Sequence, residues 1–173
     1  MFVDGFFALE RRVKSKKGGR SIMETTHYIR ISPEVWISFG QDPDMILDWL
    51  LHVHEQHRDT YETLTLPNIE RFQKILGQIE VYIDGKDSYN LEMAAIGEEL
   101  VVNEKQAVVV GILTPQLLHI VKDAMNAFKQ EDVAEMALVE RDSIDDVWLK
   151  WTLLKRFYDE ASERDELVLI YYE

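Results

Sequence analysis

Three histidines within the thirteen residues WLLHVHEQHRDTY, Trp49 to Tyr61, set the first chemical question. His52, His54 and His57 fall in an H-x-H-x-x-H spacing beside Glu55 and Asp59, types that could ligate a metal ion. A zinc hydrolase of the metallo-β-lactamase type uses H-x-H-x-D-H, and Gln56 stands here where that aspartate belongs. Such enzymes also draw histidines from later loops, and this chain has only His27 and His119 besides. The stretch continues the apolar helical stripe Ile46, Trp49, Leu50, Val53, so successive residues turn by about 100°. His52 and His54 then point about 200° apart and cannot share one ion. His54 and His57 do share a face, but two imidazoles leave a zinc site incomplete. We read no metal site, no catalytic residue and no cofactor in this sequence.

Other constellations fail in the same way. G-x-S-x-G, the P-loop and G-x-G-x-x-G are missing. Adjacent carboxylates (Glu98-Glu99, Asp145-Asp146, Asp159-Glu160) are expected by chance in a chain with 32 acids. The absence of Cys removes disulfides, thiolate zinc sites and a cysteine nucleophile, and agrees with a reducing, cytoplasmic setting.

Charge is the stronger signal. The 173 residues carry 19 basic and 32 acidic side chains, a formal −13. Six of the bases (Arg11, Arg12, Lys14, Lys16, Lys17, Arg20) and only Asp4 and Glu10 lie in the first twenty residues. Residues 21–173 are left with 13 basic and 30 acidic groups, a net −17. A body of that charge repels phosphate backbones, which argues against nucleic acid, and attracts a basic protein at raised on-rates. No apolar run is long enough to span a membrane.

The elements that carry these residues follow from periodicity and caps. Alternation over Thr26–Ser32 predicts a strand, and Ser32-Pro33-Glu34 then opens a helix, with Ser as cap and Pro at the first helical position. Asp42-Pro43-Asp44 starts a second helix, and a third is expected from Pro67 to Leu76, stopped by Gly77. Gln78–Asp84 reads as a strand ending at an Asp84-Gly85 turn, and LEMAAIG as helical. The doubly apolar Ala107–Leu113 suits a central strand. Thr114-Pro115 opens a helix carrying Leu117, Leu118, Val121, Ala124, Met125 and Phe128. Ser143-Ile144-Asp145-Asp146 has capping-box form and opens a helix that buries Val147, Trp148, Trp151, Leu154, Phe157, Tyr158 and Ala161. Leu167–Tyr172 closes the chain as a strand covered on both faces. The expected fold is α/β of the α+β type: one compact domain with a mixed β-sheet packed against amphipathic helices.

Residues 1–22 read as a basic, solvated extension ahead of a single domain over 23–173. Lys17-Gly18-Gly19 is what a purine-rich ribosome-binding site would encode if read through, with Met23 at a suitable distance, and this reading places the natural start at Met23.

Three segments together, YIRISPEVW, LEMAAIGEEL with GILTPQLLHIVKDAM, and LLKRFYDEASERDELVLIYYE, resemble the YfbM-like family of bacterial domains of unknown function. The resemblance covers Thr26 to the C-terminus. It departs at Glu70-Arg71-Phe72, where the family has a Trp-His pair. It implies a compact α/β fold and a start near Met23, and it carries over no catalytic residue.

The sequence therefore points to an acidic, non-catalytic binding protein of the bacterial cytoplasm, in the manner of an immunity protein that neutralises a basic toxin or effector. Trp36, as an aromatic anchor, and the acids Asp84, Asp87, Glu98 and Glu99 are its candidate partner contacts. The rival reading is a small-molecule enzyme or sensor with a cleft near Trp36, His54 and His57. A homo-oligomeric scaffold is the third.

Overall fold

The computed structural model describes residues 25–39, 42–56, 60–83, 87–103 and 108–172, some of them by backbone alone. The elements run β1 (Thr25–Ile31), α1 (Pro33–Ser38), α2 (Pro43–Gln56), β2 (Thr63–Pro67), α3 (Glu70–Leu76), β3 (Glu80–Ile83) and β4 (Asp87–Asn90). They continue with α4 (Met93–Ile96), β5 (Glu99–Asn103), β6 (Val108–Leu113), α5 (Pro115–Ala127), α6 (Gln130–Val139), α7 (Ile144–Glu163) and β7 (Leu167–Tyr172).

Five strands form one sheet in the order β2-β1-β7-β6-β5, while β3 and β4 pair as a separate hairpin. The α+β class and the helix-packed sheet agree with the sequence. The sheet is antiparallel at every pairing, however, and the expected mixed sheet is corrected. Its helical connections do not make βαβ crossovers: β1 returns through α1 and α2 to pair antiparallel with β2, and α5 to α7 return the chain antiparallel from β6 to β7.

β7 lies in the middle and is apolar on both faces for a reason that its neighbours supply. Val168 and Ile170 join a core with Tyr28, Phe72, Leu118, Val121, Trp151 and Tyr158 on the side of α3 to α7. Leu167, Leu169 and Tyr171 face the other way, with Ile29, Ile31 and Val110, under Phe39, Ile46 and Leu50 of the α1–α2 layer. Alternate residues of one strand thus serve two cores, and removal of both apolar faces from water is the main stabilising term.

The caps form as their sequences require. Ser32, Thr114 and Ser143 each accept a hydrogen bond from the amide three residues on, at 3.4, 3.5 and 3.4 Å. The Ser32 hydroxyl also holds the Glu34 carboxyl below its ordinary range. At Ser143 the expected capping box is only half made. Asp146 turns its carboxylate to Lys150, and Asp142 accepts from the Ser143 amide at 2.8 Å instead.

The third helix starts at Glu70, not Pro67. Thr63–Pro67 instead pairs with β1 as an edge strand, where a proline at the end loses no needed donor. The Gln78–Asp84 strand is observed from Glu80 to Ile83, and the Asp84-Gly85 turn lies outside the described residues. Strands β4 and β5 and helix α6 are additions to the expected elements. Helices α6 and α7 both end in the two-bond left-handed stop normally written with glycine. Arg141 (φ 56°) and Asp165 (φ 51°) occupy the left-handed position. Asp142 and Glu166 close the motifs by donating to the Ala137 and Ala161 carbonyls at 2.9 and 3.0 Å.

A close backbone crossing fixes the LEMAAIG segment. A Cβ on Gly111 of β6 would lie 1.7 Å from the Ile96 carbonyl oxygen, and one on Gly97 (φ 79°) would lie 2.5 Å from the Ile112 nitrogen. The two glycines let the end of α4 rest directly on the sheet. So short a helix leaves its carbonyls without internal partners. Buried tyrosines supply them: Tyr28 donates to Ala95 O at 3.3 Å, and Tyr158 donates to Ala94 O.

Candidate functional site

The candidate contacts from the sequence fall on separate elements. Trp36 of α1 is half-buried, edge-on to Phe39 with ring centroids 6.2 Å apart, and so acts as part of the second core as well as surface. Glu98 is half-buried and its amide donates to Ile112 O at 3.1 Å. Glu99 opens β5 opposite Ile112, and Asp87 opens β4 opposite Ile83; only their backbones are described. Asp84 lies outside the described residues.

The histidine stretch is helical as far as Gln56, where α2 ends. His52 is exposed and its Nδ1 lies 2.6 Å from Asp48 O. The side chains of His54 and His57 lie outside the described residues. His27 stacks on its cross-strand partner Tyr171 at 4.8 Å, and His119 Nδ1 lies 2.9 Å from Ser162 Oγ. Among the described residues no group of three or more His, Asp or Glu side chains is placed to hold a metal ion.

Two charged constructions stand out instead. The first is a buried cation. Arg30 of β1 has 2% of its side chain exposed, and its Nε and Nη1 donate at 2.7 Å to Glu166 and Glu160. Its guanidinium carbon lies 5.6 Å from the Phe157 ring centre. Burial alone would lower the Arg30 pKa; hydrogen bonds and charge from Glu166 and Glu160 outweigh it, and the net shift is upward. Both carboxylates are thus committed to one cation. This network ties β1 to the end of α7 and is structural.

The second lies where α3 meets the start of α7. An open groove of about 310 Å³ is lined by Asn68, Glu70, Arg71, Asp142, Asp146 and Lys150, with Pro67 at its edge. Lys150 is buried at its base, paired with Asp146 and donating to Asn68 O at 3.4 Å. Arg71 is 62% exposed, reaching Arg141 O at 3.3 Å and Asp142 at 3.8 Å. The groove is polar and its two cations already have acidic neighbours. It can hold a polar group, and its lining is of amide, carboxylate, guanidinium and amine groups.

The groove adjoins the α6–α7 hairpin, an acidic part of the described fold. Residues 129–149 carry seven carboxylates against Lys129 and Arg141. Four are engaged: Asp132 caps α6, Glu140 accepts from Gln78, Asp142 meets Arg71, and Asp146 meets Lys150. Glu131, Glu135 and Asp145 are exposed, with no hydrogen bond or ion pair among the described residues. Leu138, Val139 and Leu149 are exposed beside them, at 62%, 72% and 57%. Sequence reasoning missed this surface because it missed α6; the run of acids from Glu131 to Asp146 was the available signal.

The crystal structure of YfbM from Escherichia coli, a protein of unknown function, is similar to this fold. Its TM-score is 0.58 at 14% sequence identity, over 86% of this chain and 99% of that one. At that identity the likeness concerns the fold. No family model matches the chain, and no curated protein matches it in sequence. No helix among the described residues is long and apolar enough to cross a membrane.

Proposed function

We propose that the chain is a divergent member of the YfbM-like family and works as a non-catalytic, acidic binding protein. Its partner would be a basic protein, and the setting the bacterial cytoplasm, where it would serve as an immunity-type inhibitor of a toxin or effector. The observation that supports this most is the uncompensated negative charge: −17 over residues 21–173, with Glu131, Glu135 and Asp145 left free on one helical hairpin. Free surface carboxylates are already solvated, contribute little to folding, and remain available to raise the encounter rate with a cation-rich surface. Asp84, Asp87, Glu98 and Glu99, with Trp36, stay as a second set of candidate contacts. The test is affinity capture at low and high salt, followed by reconstitution of the recovered protein with this chain in purified form. A basic partner held at low salt and released at high salt supports the reading; a neutral or acidic partner, or none, defeats it.

The groove beside Lys150 supports a second reading, a small-molecule enzyme or sensor. A ligand that prefers the native state raises its melting temperature, so thermal-shift screening against nucleotides, amino acids and divalent metals distinguishes the two. Stabilisation lost in Lys150→Met or Arg71→Ala would favour this second reading.

A further inference from the structure

We infer that the outer face of the α6–α7 hairpin is the docking surface, and that its occupant is a protein segment carrying lysine or arginine together with large apolar side chains. This deepens the proposed binding function and rests on it.

The inference comes from helical phase and exposure. Glu131, Glu135 and Leu138 stand at i, i+4 and i+7 on α6, and all three are exposed. Asp145, Leu149 and Thr152 repeat that spacing on α7, and they too are exposed. Residues so spaced share one helix face. Val133 and Ala137 on α6, with Val147 and Trp151 on α7, mark the opposite, core-facing sides. Two adjacent helices therefore turn outward acid followed by leucine, Glu131 and Glu135 before Leu138 on α6 and Asp145 before Leu149 on α7. Val139 adds a third large apolar side chain where α6 ends.

Large side chains exposed on consecutive helices give up contact with water favourably only when something apolar covers them. The surrounding carboxylates decide what. An anionic lipid surface or a nucleic acid would be repelled. A second copy of this face would bring three like charges against three. A cationic amphipathic segment satisfies both requirements, since its basic groups meet Glu131, Glu135 and Asp145 while its apolar groups cover Leu138, Val139 and Leu149. Arg156, one turn beyond Thr152 and exposed, bounds the acidic region. Lys129 before α6 and Arg141 in the turn, both exposed, bound it at its other ends, so the partner's cationic side chains should lie over Glu131, Glu135 and Asp145 between them.

The experiment uses the full chain and two synthetic helical peptides of equal charge, one with lysine and leucine faces and one with serine in place of every leucine. Binding is read by fluorescence anisotropy, with circular dichroism confirming each variant's fold. The expected result is at least tenfold tighter binding of the lysine–leucine peptide at low salt. Leu138→Ser/Val139→Ser/Leu149→Ser should remove that preference, and Glu131→Gln/Glu135→Gln/Asp145→Asn should weaken both peptides about tenfold. If both triple variants bind both peptides as the parent does, the hairpin is not the surface, although the acidic binding reading survives. If the parent binds neither peptide, or associates with itself through these residues, the inference fails; failure to bind any basic probe removes the underlying reading as well.

Discussion

Replacing Glu166 by Gln tests whether the buried Arg30 cation is held by charge or merely enclosed. Arg30 is 2% exposed in its side chain, Glu166 18% and Glu160 50%. Breaking a buried ion pair by removing one partner costs about 3–5 kcal/mol, because the remaining charge is left uncompensated. Glu160 still neutralises part of that charge, so the expected cost of Glu166→Gln is about 2–3 kcal/mol. The half-exposed Glu160 is screened by water, and Glu160→Gln should cost about 1 kcal/mol or less. For a chain of this size the larger figure lowers the melting temperature by roughly 4–12 °C. Replacing the pair together, as Arg30→Met/Glu166→Leu, removes the unpaired charge and should cost less than Glu166→Gln alone. Urea unfolding followed by tryptophan fluorescence gives all four free energies on one scale. Equal effects of Glu166→Gln and Glu160→Gln, both below about 0.5 kcal/mol, would refute the claim that burial sets the strength of this network.

Further outcomes follow from the same geometry. Gly111→Ala should destabilise by at least about 3 kcal/mol or prevent folding, since its Cβ would meet the Ile96 carbonyl at 1.7 Å; soluble yield and melting temperature report it. Tyr158→Phe leaves the buried Ala94 carbonyl without its donor and should cost about 1–3 kcal/mol in the same urea titration. Asp165→Gly or Arg141→Gly places glycine at a left-handed helix stop and should raise stability by about 0.5–1 kcal/mol. Burial holds the Tyr28 hydroxyl well above its ordinary 10.0. The unfolded chain therefore loses this proton first, and stability should fall as pH rises above about 10. Tyrosinate absorbance should then show one fewer phenol titrating only with unfolding in Tyr28→Phe than in the parent.

Much of the fold was legible because local chemistry and tertiary demand agreed. Ser32-Pro33, Thr114-Pro115 and Ser143 write helix starts in the residues themselves, and the doubly apolar Leu167–Tyr172 could only lie between two layers. Where the two disagreed, reading failed. Helix α6 has only the narrow stripe Val133, Met136, Ala137 and has Arg141 in the left-handed position after its end at Val139, so neither a wide apolar face nor a glycine stop marked it. Pro67, a common helix opener, instead closed an edge strand whose pairing with β1 is set from nearly forty residues away. Capping-box spacing at Ser143 could not reveal that Lys150 would claim Asp146. The antiparallel sense of the sheet is a property of the connections, which periodicity does not encode. The candidate surface was legible only as composition: the acids were visible, but which of them would be spent on Arg30, Arg71, Lys150 and Gln78 depended on packing.

The most direct test of the proposed action through a negative field is the rate at which a basic partner, once reconstituted, associates, measured by stopped-flow fluorescence across a salt series. We expect the association rate constant to fall at least tenfold between about 0.02 and 0.5 M salt, with the dissociation rate changing far less. An association rate independent of salt, or catalytic turnover of any compound abolished by Lys150→Met, would contradict the account.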